Sequence, residues 1–196
     1  MVLYKCSNCG DKIYKNYLCK NCFSLLTFIN EEVEEENYKI YIILKYQGLL
    51  KNLLINFKFK DSTFLSKVFG DIMAEKILSM NLISKYDFFC PIPMYEKNML
   101  KRGYNQVELI GDYISSNTLM PYKKALKKIK ATKDQVGLNK IQREKNLKGA
   151  FFAENVENKK ILLIDDIFTT GSTIKEARKE LIKKGALKVD ALVLCS

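Results

Sequence analysis

The segment ILLIDDIFTTGST, residues 161–173, constrains the fold more than any other part of the chain. A short apolar run ends at two adjacent carboxylates, Asp165 and Asp166, and small hydroxyl residues then lead into a helical pattern. An apolar strand that opens into a helix in this way lies at the carboxyl edge of a parallel sheet, where open α/β folds bind their ligands. The segment therefore predicts an α/β domain with a ligand site at its own turn.

The rest of the chain alternates between strand and helix patterns, as this fold class requires. Apolar runs rich in branched and aromatic residues predict strands at residues 39–46, 87–93, 161–164 and 189–195. Apolar residues at helical spacing predict helices at residues 49–57, 65–78, 107–114 and 174–182. Ser62 is a candidate N-cap for the second of these helices and Gly185 a candidate C-cap for the last. We therefore expect a mostly parallel sheet flanked by helices.

The turn after the acids combines the groups that bind a phosphate monoester. Free backbone N–H groups and the dipole at the start of a helix attract an anion, and Gly171 lets the backbone approach it closely. The hydroxyl donors there are Thr169, Thr170, Ser172 and Thr173. Asp165 and Asp166 would repel the phosphate, so they suit neutral hydroxyls or a divalent cation. A phosphate beside a vicinal diol describes a ribose 5-phosphate. Both acids can serve one ligand only if the strand has already begun to turn.

Composition limits the chemistry that the chain can perform. It has 196 residues, 47% of them hydrophobic, a net charge of +11 and no histidine. Ser-His-Asp and Cys-His catalysis are therefore excluded, and a P-loop NTPase is not expected because no GxxxxGK[ST] sequence occurs. The positive charge favours polyanionic partners, although a lysine-rich surface also serves solubility. No run has the length of a membrane span or the character of a signal peptide, so we expect a cytoplasmic protein without membrane insertion.

Two CxxC pairs lie close to the N-terminus, Cys6 with Cys9 and Cys19 with Cys22. Each pair can direct two thiolates at one ion, and two pairs complete a tetrahedron. This spacing predicts a structural Zn²⁺ site in a zinc ribbon, with an iron–sulfur site as the alternative. The metal would supply the folding energy that so short a module cannot obtain by burying apolar area.

Composition also divides the chain into three parts. We assign residues 1–28 to the zinc ribbon, residues 29–38 to an acidic linker or exposed edge, and residues 39–196 to the α/β domain. Within the last part, residues 118–150 are irregular and strongly basic. Such a stretch is typical of a lid that closes over a polyphosphate or of a nucleic-acid contact, and a solvated lysine face is equally open. Gln135 and Arg143 are its candidate contact residues.

Residues 161–173 resemble the phosphoribosyl pyrophosphate (PRPP) signature of type I phosphoribosyltransferases. Further motifs match the ComF family of competence-associated, amidophosphoribosyltransferase-like proteins in order: the N-terminal ribbon, YQGLLKNLLINFKFK, PIPMYEKNMLKRGYNQ and QVGLNKIQREKNLKGAF. The resemblance implies a type I phosphoribosyltransferase-like domain that binds PRPP or a related ribose 5-phosphate with Mg²⁺. In it, Asp165 and Asp166 would hold the ribose hydroxyls, and the turn at residues 169–173 would hold the 5-phosphate.

The motif KNMLKRGYNQ follows a predicted strand end and so lies at the predicted binding edge. Arg102 can donate to two phosphate oxygens at once, Lys97 adds charge, and Gly103 permits a close approach. We assign these three residues to pyrophosphate; a basic surface loop is the alternative. Farther along, where the family commonly carries arginine, this chain has lysines that lack the bidentate geometry, namely Lys127, Lys128 and Lys130.

Two functions follow from the resemblance. The first is a PRPP-binding protein or phosphoribosyltransferase, because such catalysis relies on positioning and charge rather than on histidine. The sequence singles out no catalytic residue or acceptor. The residue after Met1 is not a cysteine, so the glutamine-cleaving nucleophile of an amidotransferase is not indicated and glutamine cleavage is not expected. The second is a factor in DNA uptake and natural transformation that binds single-stranded DNA and uses the fold as a scaffold or nucleotide sensor. The DNA-uptake machinery would then be a partner.

Overall fold

Five strands form the main sheet of the protein, whose computed structural model describes residues 5–35, 37–132 and 140–196. The strands are β1 Phe28–Glu35, β2 Tyr38–Leu44, β3 Phe88–Pro91, β6 Lys160–Ile167 and β7 Lys188–Cys195. Their order is β1-β2-β7-β6-β3. Only β1 pairs antiparallel with its neighbour, whereas β2, β7, β6 and β3 are parallel to one another. This confirms the predicted mostly parallel α/β sheet.

Helices cover both faces of this sheet. They are α1 Lys20–Ser24, α2 Gly48–Phe59, α3 Leu65–Ser79, α4 Glu96–Arg102, α5 Gln106–Thr118, α6 Lys140–Leu147 and α7 Ser172–Lys183, with a 3₁₀ turn at Leu82–Ser84. A two-stranded antiparallel sheet is formed by β4 Leu126–Lys128 and β5 Phe151–Ala153. In the interior strand β6, Leu162 and Ile164 pack with α2, α3 and α5, while Ile161 and Leu163 pack with α7 and the small sheet. Burial on both faces is why this strand is a continuous apolar run.

The acidic residues near position 30 form an edge strand rather than a linker. Strand β1 pairs with β2 from Phe28↔Leu44 to Glu35↔Tyr38. Its glutamates stay in water while its backbone N–H and C=O groups bond to β2, so negative charge does not oppose strand formation here. Of the two alternatives offered by the sequence, the structure shows the exposed edge.

Helix α3 begins at Leu65, as the apolar spacing predicts, but its N-cap is Phe64 and not the predicted Ser62. The Ser62 hydroxyl donates to the Lys60 carbonyl instead. The basic stretch after residue 118 also contains regular structure, since β4 and α6 lie within it. None of the helices in the described ranges has the length and apolar content that a membrane span needs.

The N-terminal segment packs directly on α3 and α5. Leu18 and Leu26 are buried in the same apolar cluster as these helices. The hydroxyls of Tyr17 and Tyr113 are 2.9 Å apart, and Asn16 Nδ2 donates to Asp71 Oδ2 at 3.0 Å. The segment therefore shares its core with the α/β domain.

Candidate functional site

A cleft of about 380 Å³ lies at the carboxyl ends of β3 and β6. The segment after β3 supplies one wall, from Ile92 to Met94, and the end of β6 supplies the floor. Helix α2 contributes Lys58, and the junction of α4 and α5 contributes Arg102 and Gln106. The cleft is thus at the predicted edge of the sheet, where segments distant in sequence meet.

Both predicted acids line this cleft. The strand does not turn at them as expected, because β6 continues to Ile167. Instead, the Asp166 N–H donates to Asp165 Oδ1 at 2.9 Å, which draws the Asp165 side chain toward its neighbour. Adjacent strand residues normally face opposite ways, so this local bond helps both carboxylates to reach one site.

The cleft holds carboxylates and ammonium groups in partly desolvated surroundings. Lys58 Nζ lies 2.6 Å from Asp166 Oδ2. Burial raises the pKa of Asp165 to about 7, and the charge of Asp166 acts in the same direction. Burial also lowers the pKa of Lys128, a change that Asp165 partly opposes. For Lys58, burial by itself lowers the pKa, but the contact with Asp166 outweighs it and the pKa is raised.

The predicted phosphate turn adjoins the acids at the start of α7. Gly171 is the N-cap residue with φ of +71°, and as a glycine it has no side chain to cap this helix. Thr170 Oγ1 and Ser172 Oγ share a hydrogen bond of 2.8 Å, while Thr169 and Thr173 line the cleft. A side chain at Gly171 would be strained by the positive φ and would place Cβ 3.1 Å from the Phe168 ring. The start of α7 therefore lies at the cleft, beside the two acids.

Of the three residues assigned to pyrophosphate, the structure brings Arg102 into the cleft. Its guanidinium lies over the Phe59 ring at 5.4 Å and donates to Gln106 Oε1 at 2.6 Å. Lys97 is exposed on α4 and lies apart from the described lining, because five residues along a helix turn a side chain by about 140°. Gly103 is the left-handed C-cap of α4.

The role of Lys58 was missed by the sequence analysis, whereas Gln106 belongs to the motif KNMLKRGYNQ, which was placed at the binding edge. Gln106 is 1% exposed, lines the cleft, and its Nε2 has no partner within the described structure. Lys58 follows Leu54 by one helical turn and so lies beside the buried stripe of α2. A lysine beside the buried stripe of an amphipathic helix was the sequence signal that could have identified Lys58 as a site residue. Gln135 is outside the described residues, and Arg143 belongs to α6.

The four N-terminal cysteines form a candidate metal centre. Their sulfur atoms all lie within 4.8 Å of one another. Cys9 Sγ is 3.5 Å from Cys19 Sγ and 3.7 Å from Cys22 Sγ. A tetrahedral zinc ion with Zn–S bonds of about 2.3 Å separates its sulfurs by about 3.8 Å, so the spacing fits one such ion. Asn8 Nδ2 donates to Cys22 Sγ at 3.2 Å, which supports a thiolate there.

Comparison with known proteins agrees with this architecture. Residues 119–196 match the family described as phosphoribosyl transferase domain. Competence protein F of Haemophilus influenzae is 28% identical over 94% of this chain and 86% of its own length. Competence protein ComFC of Streptococcus pneumoniae is 29% identical over 96% of this chain and 79% of its own length.

Among solved structures, the glutamine PRPP amidotransferase from B. subtilis is similar at 19% identity and a TM-score of 0.39 over 63% of this chain. The chain spans only 26% of that enzyme's length. The assignment rests instead on the competence proteins, which match nearly the whole chain, and on the domain match to its C-terminal part. These matches support the ComF family of competence-associated proteins as the family of this chain, and the chain has a phosphoribosyltransferase fold.

Proposed function

We propose that this protein binds PRPP, or a related ribose 5-phosphate, in the cleft at the end of β6 and acts in DNA uptake. The observation that carries the proposal is the meeting of two kinds of group in one cleft. Asp165 and Asp166 supply hydroxyl acceptors, and the start of α7, with its backbone N–H groups and helix dipole, supplies phosphate donors beside them. The competence proteins among the relatives support the role in DNA uptake.

Each part of the cleft has a distinct task in this proposal. The N–H groups at the start of α7 donate to the 5-phosphate, since a helix N-terminus attracts anions. The carboxylates accept from the ribose hydroxyls. Arg102 donates to the pyrophosphate, and Gln106 Nε2 gains the acceptor that the described structure does not give it. The same arrangement suits transfer chemistry at ribose C1, which depends on positioning and charge stabilisation.

The residues of the cleft also fit a divalent cation. Mg²⁺ prefers oxygen ligands and is bound through one or two carboxylates together with substrate phosphates, which is the donor set that Asp165 and Asp166 would complete. When bound with PRPP, the ion would neutralise the negative charge of the pyrophosphate. Zn²⁺ is proposed for the cysteine centre alone, where it would serve stability.

PRPP with Mg²⁺ should raise the unfolding temperature of the protein. A ligand present at 100 times its Kd stabilises by about 2.7 kcal/mol. The double variant Asp165→Asn with Asp166→Asn should lose this stabilisation, because the ribose acceptors lose their charge. The control Asp61→Asn with Asp112→Asn, which alters two exposed residues and the same net charge, should keep it. Equal stabilisation of the acid-site variant and the native protein would disprove the site assignment.

A second candidate function, single-stranded DNA binding, is favoured by a basic groove between α6 and α7. Lys145, Lys148, Lys175 and Lys179 line this groove of about 250 Å³ beside Ser172. If four lysines neutralise four phosphates of a single strand, affinity should fall about 50-fold between 50 and 200 mM salt. Fluorescence anisotropy with a labelled oligonucleotide measures this slope. Replacing Lys145 and Lys179 by Gln should flatten it, whereas replacing the exposed Lys51 and Lys67 should not. If the affinity of the native protein for the oligonucleotide does not fall with salt, single-stranded DNA binding is ruled out as a function.

A further inference from the structure

Lys58 places an ammonium group inside the cleft, in contact with Asp166. Nζ and Oδ2 are 2.6 Å apart, and the two side chains are only 21% and 12% exposed. An ion pair in such surroundings attracts more strongly than one on the open surface. The contact engages the carboxylate that the proposed function assigns to the ligand.

The end of α2 is held firmly, so Lys58 enters the cleft from a defined point. Phe57 is fully buried, and its ring lies 5.3 Å from that of Phe69 and 6.0 Å from that of Tyr104. The Tyr104 hydroxyl donates to the Phe57 carbonyl. On the other side of Lys58, Phe59 carries the Arg102 guanidinium on its ring. The residues before and after Lys58 thus tie α2 to the segment that supplies Arg102.

A divalent cation on the same carboxylate oxygen would lie close to this ammonium. Mg²⁺ binds oxygen at about 2.0–2.1 Å. With Nζ 2.6 Å from Asp166 Oδ2, an ion on that oxygen would be within roughly 5 Å of Nζ. Like charges at such a distance repel strongly in a partly buried cleft, and Arg102 and Lys128 add to the repulsion.

We propose that Lys58 is the internal cation of this site, holding Asp166 in the ligand-free protein and excluding a divalent cation from it. The inference rests on the proposed function only in assigning Asp166 to the ligand. A phosphorylated sugar that arrives with its own Mg²⁺ displaces the ammonium, which the flexible stem of lysine permits. Metal without that ligand does not compete effectively. Lys58 therefore acts as a positioning residue that makes cation binding depend on the sugar phosphate.

Titration of the protein with Mn²⁺ alone, followed by the paramagnetic signal of the free ion, tests this proposal. Lys58→Met should bind Mn²⁺ at least tenfold more tightly than the native protein, because the carboxylates lose their counter-charge. Lys58→Arg should bind as weakly as the native protein. The exposed Lys51→Met, which changes the net charge equally on the same helix, should show no gain. Adding Asp166→Asn to Lys58→Met should cancel the gain. Equal affinities of Lys58→Met and Lys51→Met would overturn the proposal.

A second measurement uses the native protein and does not depend on the folding of any variant. Acetylation of lysines, quantified by mass spectrometry, should label Lys58 slowly compared with Lys51. Millimolar Mn²⁺ alone should leave the labelling of both lysines unchanged, because the ammonium keeps the free ion away from Asp166. Labelling of Lys58 that rises with Mn²⁺ alone, while that of Lys51 stays constant, would refute the exclusion of free metal. Since both measurements use metal alone, a failure of PRPP to stabilise the protein is a separate result.

Discussion

Removing the metal from the cysteine centre should unfold the N-terminal ribbon and uncover the apolar surface beneath it. The ribbon is too short to fold on its own apolar area, and structural Zn²⁺ contributes about 10–16 kcal/mol in comparable small modules. Leu18, which is fully buried between the cysteine pairs and α3, would then be exposed to water together with its contacts. The loss should extend to α3 and α5, because Tyr17 and Asn16 bond to these helices.

Metal analysis and hydrogen exchange before and after chelation measure this effect. We expect about one Zn²⁺ per chain in the purified protein, and fast exchange of residues 5–26 once it is removed. Cys22→Ser should behave like the chelated protein. Cys90→Ala, which alters a buried cysteine of β3 outside the centre, should retain the metal. A protein that is free of metal and still fully folded would contradict the zinc assignment.

Asparagine at position 165 should stabilise the protein above neutral pH, whereas asparagine at position 166 should destabilise it. Burial raises the pKa of Asp165 from 3.8 to about 7 in the folded protein. Between these values the folded state binds more protons than the unfolded state, so this group makes stability fall as pH rises through the window. Asp165→Asn removes the cost of the charge, which for a shift from 3.8 to about 7 is up to about 4 kcal/mol at pH 8.

The neighbouring substitution has the opposite sign because of the ion pair. Asp166→Asn leaves the Lys58 ammonium in the cleft without its carboxylate, which should cost about 2 kcal/mol, less than for a fully buried pair. Denaturant unfolding at pH 5 and pH 8 measures both effects. The Asp165→Asn gain should be smaller at pH 5, where the native carboxyl stays protonated and only the ionisation of the unfolded state contributes. The same sign for both variants at pH 8 would show that the electrostatic description of the cleft is wrong.

The natural charge at position 165 is thus expected to serve binding at the expense of stability. Sites that hold polar ligands commonly carry such a cost. The PRPP and Mn²⁺ experiments test whether the cost is recovered when a ligand binds. Asp165→Asn should then be the more stable protein and the weaker binder.

Much of the architecture follows from local sequence. The apolar run of β6, the acids after it and the small residues before α7 are neighbours in the chain, so strand, turn and helix could be predicted together. The paired cysteines are also set by short spacing, and the structure brings their sulfurs within 4.8 Å. The edge strand β1 could not be distinguished from a linker, because its apolar contact with the core is limited to the partly buried Ile29 and Val33 and its pairing with β2 is made by backbone bonds.

The sequence by itself determined which segments form the parallel strands, the paired-cysteine turns and the turn before α7, because these depend on residues close together in the chain. Only the tertiary structure decided which charged groups meet in the cleft. Lys58 and Asp166 belong to α2 and β6, far apart in sequence, and their contact depends on how Phe57 packs. Likewise, the direction of helix α4 decided that Arg102, and not Lys97, lines the cleft. Such contacts arise from the packing of whole elements, which no local pattern records.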